Sequence, residues 1–275
     1  MEYDADGVRY SSKAHLEEAI AEFTELKKLD ESYARSYEDY VPYDLWYLGK
    51  YQELRNHLAA LPGSDTRKAF VLACVAATEG TEAAIKKSLE ITSEEQNRSK
   101  AMTTAGYLLL HIRRYAEAGE LLAIGAHGQD NENRIAPFAE RLKTTKRAEQ
   151  LSVDASSPTC IIHNLFRVVL GTSFSPATLA PLMIKPVREA PSFIEENADT
   201  QAKQITFGLR TQAQRSGMPL EALADIALSH ARYSVAGNDA LGYKVTMEVA
   251  GAPARDVFVA REEGQFKVVE FSLEG

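Results

Sequence analysis

The sequence has few cysteines, no long apolar run and no excess of positive charge. Its 275 residues include two cysteines, Cys74 and Cys160, which lie in apolar runs without the spacing of a zinc or redox motif. They predict free thiols and favour a reducing compartment. No stretch of about 18 apolar residues and no secretory leader is present. We therefore expect a soluble, cytoplasmic protein without membrane insertion.

The charge and the motif content exclude further classes of function. The net charge is -8, and the lysines and arginines are scattered, so no basic patch indicates binding to nucleic acid. The glycine-rich phosphate loops and the GxSxG hydrolase motif are absent. None of the six histidines belongs to an HExxH motif or to a pair at metal-ligand spacing. The sequence therefore predicts no metal and no cofactor.

A repeated pattern of small and large residues marks the first part of the chain. In the stretch from Gly106 to Leu122, Gly106 and Ala118 occupy positions where two helices approach closely, and Leu109, Tyr115 and Leu122 fill the large positions. The same register recurs upstream and gives a close-packing residue in each repeat, namely Ala19, Leu54, Ile85 and Ala118. Repeats of about 34 residues with this pattern are typical of stacked helix hairpins. An unrelated helical array is the alternative interpretation.

On these residues, positions 1–126 resemble the tetratricopeptide repeat superfamily. The resemblance implies an array of helical hairpins, and we expect a further helix from Glu132 to Leu151, with Pro137 at its start or at a kink, to cover the last one. It also implies a concave face, built from the first helix of each hairpin, that binds a protein or peptide partner. The register places the following residues on that face: Asp39, Tyr43, Trp46, Arg67, Phe70, Lys100, Thr103 and Tyr107. A peptide with some acidic character is the expected ligand, unless the rest of the chain fills the groove.

Aromatic residues concentrate in the second of these repeats. Six tyrosines and the single tryptophan follow steps of three and four, which trace one face of a helix; they are Tyr33, Tyr37, Tyr40, Tyr43, Trp46, Tyr47 and Tyr51. Packing in the core is the simpler interpretation, because Pro42 interrupts the stripe. Lining of a binding groove is the alternative.

The character of the chain changes after the turn-rich stretch 152–158, "SVDASSP". Apolar residues at helical spacing follow, and we expect a further helix over 200–217. From Ala231 the period changes to two, with turn residues between four runs of strand-forming residues. The sequence thus predicts a multi-domain α and α+β protein, with a helical repeat domain at 1–151, a linker at 152–158 and an α+β domain at 159–275. The last hairpin resembles that of the nuclear transport factor 2-like domains, over about residues 158–275.

The second resemblance raises the question of catalysis. Enzymes of that cone-shaped family use an acid and a base inside the cone, so the candidate residues are His163, Asp225, His230 and Tyr243. Structural roles are the simpler interpretation of both histidines. We therefore expect no enzyme, but a non-catalytic protein-interaction or scaffolding module, as one piece of a larger bacterial multi-domain protein. The alternative is a small-molecule-binding or isomerase/dehydratase-like domain that uses the repeats as an oligomerisation arm.

Overall fold

The chain folds into two compact units, Met1–Thr144 and Thr145–Gly275. We describe them from a computed structural model, which covers residues 13–34, 37–60, 64–169, 176–190, 218–250 and 253–271. Most of the described residues are helical, and the C-terminal part forms a four-stranded antiparallel sheet. No helix among the described residues is both long and apolar enough to cross a membrane.

The first unit consists of helices that follow one another as hairpins. Their bounds are α1 Lys13–Leu29, α2 Glu31–Ala34, α3 Val41–Tyr47, α4 Tyr51–Ala59, α5 Asp65–Glu79, α6 Thr81–Ile91, α7 Glu95–His111, α8 Tyr115–Ala126 and α9 Glu132–Thr144. Ser64 starts α5, because its side chain accepts a hydrogen bond from the amide of Arg67. Gly80, with a φ of 96°, joins α5 to α6; a residue with a side chain rarely adopts this conformation.

Helix α8 approaches both of its neighbours through residues without side chains. A Cβ atom on Gly106 of α7 would lie 2.7 Å from Cγ of Leu122 in α8. A Cβ atom on Gly125 of α8 would lie 2.7 Å from the amide nitrogen of Thr103 in α7, and one on Gly119 would lie 2.5 Å from the carbonyl oxygen of Ala139 in α9. The predicted close approach at Gly106 is therefore confirmed, and α8 shows two further contacts of this kind.

Helix α3 is attached to the end of α7. The indole N–H of Trp46 donates to the carbonyl oxygen of Leu108 at 3.2 Å. The hydroxyl of Tyr47 is hydrogen-bonded to Nδ1 of His111 at 2.8 Å, and the two rings are stacked. These contacts fix α3, which carries part of the candidate site described below.

The second unit combines short helices with the sheet. Its elements are a 3₁₀ turn Ala148–Gln150, α10 Thr159–Val169, α11 Pro176–Leu179, a 3₁₀ turn Ala180–Leu182, α12 Lys185–Arg188, α13 Leu220–His230, β1 Arg232–Asn238, β2 Gly242–Glu248, β3 Arg255–Glu262 and β4 Gln265–Phe271. Helix α10 packs against α13, α11 and β4. The stretch 200–217, which we expected to be helical, lies outside the described residues.

The four strands form an antiparallel meander in the order β1-β2-β3-β4. Apolar residues on one face are buried, namely Val245, Met247, Val257, Val259, Phe266 and Val268. Phe258, between two of them, is 43% exposed, as the alternation of side chains along a strand requires. The predicted class, helices followed by an antiparallel sheet, is confirmed at this level.

The helix that begins at Glu132 ends earlier than predicted. It stops at Thr144 instead of Leu151, with Pro137 inside it. Residues 145–148 bind to α13 through hydrogen bonds: the hydroxyl of Thr145 with Nε2 of His230, and the amide of Lys146 with the hydroxyl of Ser229. Because the amide of Lys146 bonds to Ser229 and not to a carbonyl of α9, the helix does not continue here.

Candidate functional site

A groove lies in the first unit between α1 and the segment that runs from α2 into α3. Its volume is about 1070 Å³, which is the size of a large ligand pocket. We call it the tyrosine groove and define it by its described lining: Ala19, Ala21, Glu22, Phe23, Thr24, Glu25, Leu26, Leu29, Tyr33, Tyr37, Tyr40, Val41 and Asp44. The lining is mainly apolar and aromatic, and its charged members are carboxylates.

The local sequence explains why the tyrosines stand in front of α3. Asp30 accepts a hydrogen bond from the amide of Tyr33 at 3.0 Å, and α2 ends at Ala34. Pro42 is buried in the first turn of α3, a position that tolerates proline because its missing N–H is not needed there. The aromatic stripe is thereby split into an exposed part before Pro42 and a more buried part after it.

Three exposed tyrosines form one side of the groove. The rings of Tyr33 and Tyr37 meet edge to face with centroids 5.4 Å apart, and their hydroxyls are hydrogen-bonded at 3.1 Å. That hydrogen bond raises the pKa of Tyr37, so its phenol is neutral. Tyr40 follows at 6.4 Å from Tyr37. Leu29, which is 85% exposed, lines the same groove, and exposed apolar surface of this kind often marks an interaction site.

A buried carboxylate lies beside these rings. Asp44 is 7% exposed. Burial raises the pKa of Asp44 to about 6, against the opposing effect of the positive charge of the N-terminal amine, because a desolvated carboxylate loses the hydration that stabilises its charge. An ionisable group held in an unfavourable state inside a groove is a feature of functional sites.

The predicted concave-face residues are only partly brought together. Asp39 forms an ion pair with Arg67 at 3.6 Å, and the ring of Tyr43 meets that of Phe70 edge to face at 4.8 Å. Lys100 is paired with Asp65 of α5 at 3.7 Å. Tyr107 is 37% exposed. Asp39, Arg67, Tyr43 and Phe70 are thus neighbours.

Three residues of the predicted face are unsuited to direct contact with a partner. Trp46 is fully buried and Phe70 is 1% exposed, and their rings pack against each other. Thr103 faces Gly125 of α8. The prediction that Trp46 and Phe70 line an open face is wrong, because large aromatic rings gain more from filling the space between helices than from staying in water.

Sequence reasoning identified the tyrosines of the groove and gave lining of a groove as the alternative interpretation of the aromatic stripe. Packing in the core was the preferred interpretation of the stripe. Trp46 is the one member of the stripe that is fully buried, so this interpretation holds for Trp46 alone. Asp44 was missed. Its signal in the sequence is a carboxylate inside an aromatic stripe, four residues after Tyr40 in "YVPYDLWY".

Two catalytic candidates of the second unit hold its first residues in place. Asp225 is 1% exposed, and its carboxylate accepts a hydrogen bond from the amide of Ala148 at 2.7 Å. Nε2 of His230 is hydrogen-bonded to the hydroxyl of Thr145 at 3.0 Å. Both side chains are thus used to attach residues 145–148 to α13.

The other two candidates have different surroundings. His163 is 7% exposed, and neither ring nitrogen makes a hydrogen bond of normal geometry. Burial lowers the pKa of His163 and the charge of Arg167 lowers it further, whereas an interaction with the backbone of Ala148 opposes this shift. Tyr243 donates to the exposed carboxylate of Asp239 at 2.9 Å, which also binds Arg261.

No group of three or more histidine, cysteine or acidic side chains is placed to hold a metal ion within the described ranges.

Comparison with known proteins gives no match: no family model fits the chain, and neither a curated protein nor a solved structure is significantly similar to it.

Proposed function

We propose that this chain is a non-catalytic interaction protein that binds a peptide segment of a partner in the tyrosine groove. The observation that carries the proposal is the exposure of Leu29, Tyr33, Tyr37 and Tyr40 along an open groove. Tyrosine offers a large contact area at a small cost in side-chain entropy, and for this reason it is enriched at binding surfaces.

The dimensions of the groove favour a short segment of chain as the ligand. A volume of about 1070 Å³ holds a few side chains, so a partner helix can insert one apolar edge into it. One wall of the groove is α1, and a helix laid against α1 would complete a hairpin of the kind that the rest of the unit forms. Asp39, Lys100 and Tyr107, the exposed members of the predicted face, are a second place where a peptide could lie.

The alternative of an isomerase-like or dehydratase-like domain has less support. Such a reaction needs an acid and a base that face a common cavity. Asp225 and His230 instead bond to Ala148 and Thr145, and Tyr243 bonds to an exposed carboxylate. These contacts favour a structural role for each of the three residues.

Selection from a library of displayed peptides tests the proposal. The full chain is immobilised, and the enriched peptides are compared with those retained by a Tyr37→Ser, Tyr40→Ser variant. We expect the wild-type chain to enrich peptides that bind it at micromolar concentration and that lose about tenfold in affinity for the variant, or about 1.4 kcal/mol.

Matched controls make the outcome specific. Phe258→Ser removes an aromatic ring of the second unit that is as exposed as Tyr37, at 43% and 42% respectively. This control variant should leave peptide binding unchanged. Tyr107→Ser tests the predicted concave face. If no peptide distinguishes the wild-type chain from the tyrosine variant, or if Tyr107→Ser alone abolishes binding, the groove is not the site.

A further inference from the structure

We propose that this chain forms a two-fold symmetric dimer in which β1 pairs antiparallel with β1 of a second copy, and Val235 lies opposite Val235 of that copy. This surface belongs to the second unit and is independent of peptide binding in the tyrosine groove. Three features of β1 support the dimer: its place at the edge of the sheet, its exposure and its self-complementary sequence.

The two edges of the sheet differ. Along β4, the amide of Ile184 donates to the carbonyl oxygen of Val268 at 3.0 Å, and Nζ of Lys267 donates to the carbonyl oxygen of Pro181 at 2.7 Å. The chain before α12 therefore covers this edge. At the other edge, β1 has β2 as its one paired neighbour among the strands that the structure describes. An edge strand presents a row of backbone N–H and C=O groups that can pair with another strand.

Strand β1 is exposed along almost its whole length. Six of its seven residues are exposed, and Tyr233 is half-buried. Val235 is paired directly with Val245 of β2, so the two side chains lie on the same face of the sheet. Val245 is fully buried, whereas Val235 is 45% exposed. The apolar face of the sheet thus extends to the edge, where its last side chain remains in contact with water.

The sequence of β1 lacks the features that usually prevent an edge strand from pairing with another chain. Lysine, proline and inward-pointing charges serve this purpose in natural sheets. From Tyr233 to Gly237, β1 contains neither a charged residue nor a proline. Its single charged residue, Arg232, is the first residue of the strand. The middle of β1 is therefore open to pairing.

The order of residues in β1 suits a second copy of the same strand. In an antiparallel pair centred on Val235, Tyr233 lies opposite Gly237 of the second copy, and Ser234 lies opposite Ala236. An aromatic ring over a glycine in the next strand is a stabilising combination at sheet edges. Glycine is needed at position 237 in any case, because a Cβ atom there would lie 2.1 Å from a backbone oxygen of β2. By symmetry, the dimer contains each of these contacts twice.

The charges are compatible with the same register. Arg232 of each copy lies opposite Asn238 of the other, so the two guanidinium groups stand at opposite ends of the strand pair and like charges do not meet. The two Val235 side chains meet on the two-fold axis, with Cβ atoms about 4.5–5.5 Å apart, and cover each other. A single pair of strands buries a small area, so we expect a dimer that dissociates at micromolar concentrations.

A charge placed on the two-fold axis tests the pairing. Full-length Val235→Asp and Val235→Lys chains are studied by sedimentation velocity, each alone and as an equimolar mixture, with circular dichroism as the check of folding. We expect the wild-type chain to dimerise and each variant alone to raise the dimer dissociation constant at least about tenfold, or about 1.4 kcal/mol. The mixture should recover the dimer, because opposite charges then face each other across the axis.

Phe258→Lys is the matched control. Phe258 is 43% exposed and lies on the other face of the sheet, in β3, so this variant should dimerise as the wild-type chain does. Hydrogen exchange gives a second measurement. The backbone amides of β1 should exchange more slowly as the concentration of the wild-type chain rises, whereas those of β3 should not change.

Three outcomes would overturn the inference. A wild-type chain that stays monomeric at high concentration would leave the edge of the sheet to a strand of another protein. A dimer that neither charge variant weakens would place the interface elsewhere on the chain. If both variants are monomeric alone and remain so in the mixture, Val235 does not lie opposite its own copy. None of these results bears on peptide binding in the tyrosine groove, which its own variants test.

Discussion

The carboxylate of Asp225 in α13 accepts a hydrogen bond from the amide of Ala148 at 2.7 Å, and both groups are buried. Nearby, the hydroxyl of Ser229 binds the amide and the carbonyl of Lys146 at 2.9 and 3.0 Å. One helix thus fixes the first residues of the second unit through several side chains.

Removing the Asp225 carboxylate should therefore destabilise the second unit. In Asp225→Ala the buried amide of Ala148 loses its partner, and we expect a loss of about 2–3 kcal/mol in the free energy of unfolding. Ser229→Ala is the control; its bonds are exposed, so its loss should be about 1 kcal/mol or less. Urea denaturation followed by circular dichroism measures both. Equal losses in the two variants would show that the burial of Asp225 is unimportant.

Asp44 makes an opposite prediction about stability. Burial raises its pKa from 3.8 to about 6, so at neutral pH the folded state carries a carboxylate that the unfolded state solvates better. Asp44→Asn should increase the free energy of unfolding at neutral pH by roughly 1–3 kcal/mol. Because both states bind the proton at low pH, the advantage should shrink as the pH falls through 6 and be lost near 3.8.

The fluorescence of Trp46 measures this effect directly, since the only tryptophan of the chain is fully buried in α3 beside Asp44. Urea midpoints of the wild-type chain and of Asp44→Asn are compared across the pH range. Asp39→Asn, at an exposed position, should shift the midpoint little. A destabilised Asp44→Asn chain at neutral pH would mean that the carboxylate has a structural partner.

The sequence predicts features that depend on neighbouring residues better than those that depend on distant ones. The close approach of Gly106 to Leu122 and the alternation along β2 and β3 follow from short-range patterns, because hairpins and meanders bring nearby residues together. The end of α9 does not. Thr144 is the last helical residue because residues 145–148 bind side chains of α13 that lie 77 to 85 positions further along.

The same distinction explains the site. The steps of three and four among the tyrosines are visible in the sequence, yet the burial of Trp46 depends on Phe70 and Leu108 in other helices. The exposure of Tyr33 and Tyr37 depends on where α2 ends and how α1 lies beside it. Periodicity identifies a face of a helix, but it does not determine what covers that face.

His163 should make the protein less stable in acid. Burial lowers its pKa, so below its ordinary value of about 6.5 the unfolded state binds the proton more readily than the folded state. Stability from this group should fall as the pH drops through that value. His163→Leu replaces a buried imidazole with an apolar side chain, so it should leave stability near neutral pH equal or higher and reduce the loss of stability as the pH falls below about 6.5. Urea midpoints of both chains, measured from neutral pH downwards, give the answer, and an unchanged pH dependence would contradict it.

Gly119 provides the sharpest test of helix packing in the first unit. Glycine is a poor helix former, so Gly119→Ala at an open position would stabilise the protein by about 1 kcal/mol. In this structure the added Cβ atom would lie 2.5 Å from the carbonyl oxygen of Ala139 and 3.1 Å from the amide nitrogen of Lys143. These are backbone atoms of α9, which cannot move without shifting the helix, and we expect a loss of about 1–3 kcal/mol instead. Ala116→Ser, at an exposed position of α8, should change stability by less than about 0.5 kcal/mol. Urea denaturation followed by Trp46 fluorescence measures the difference. Because the two expectations for Gly119→Ala have opposite signs, a stabilised variant would show that α8 and α9 are not in contact at this point.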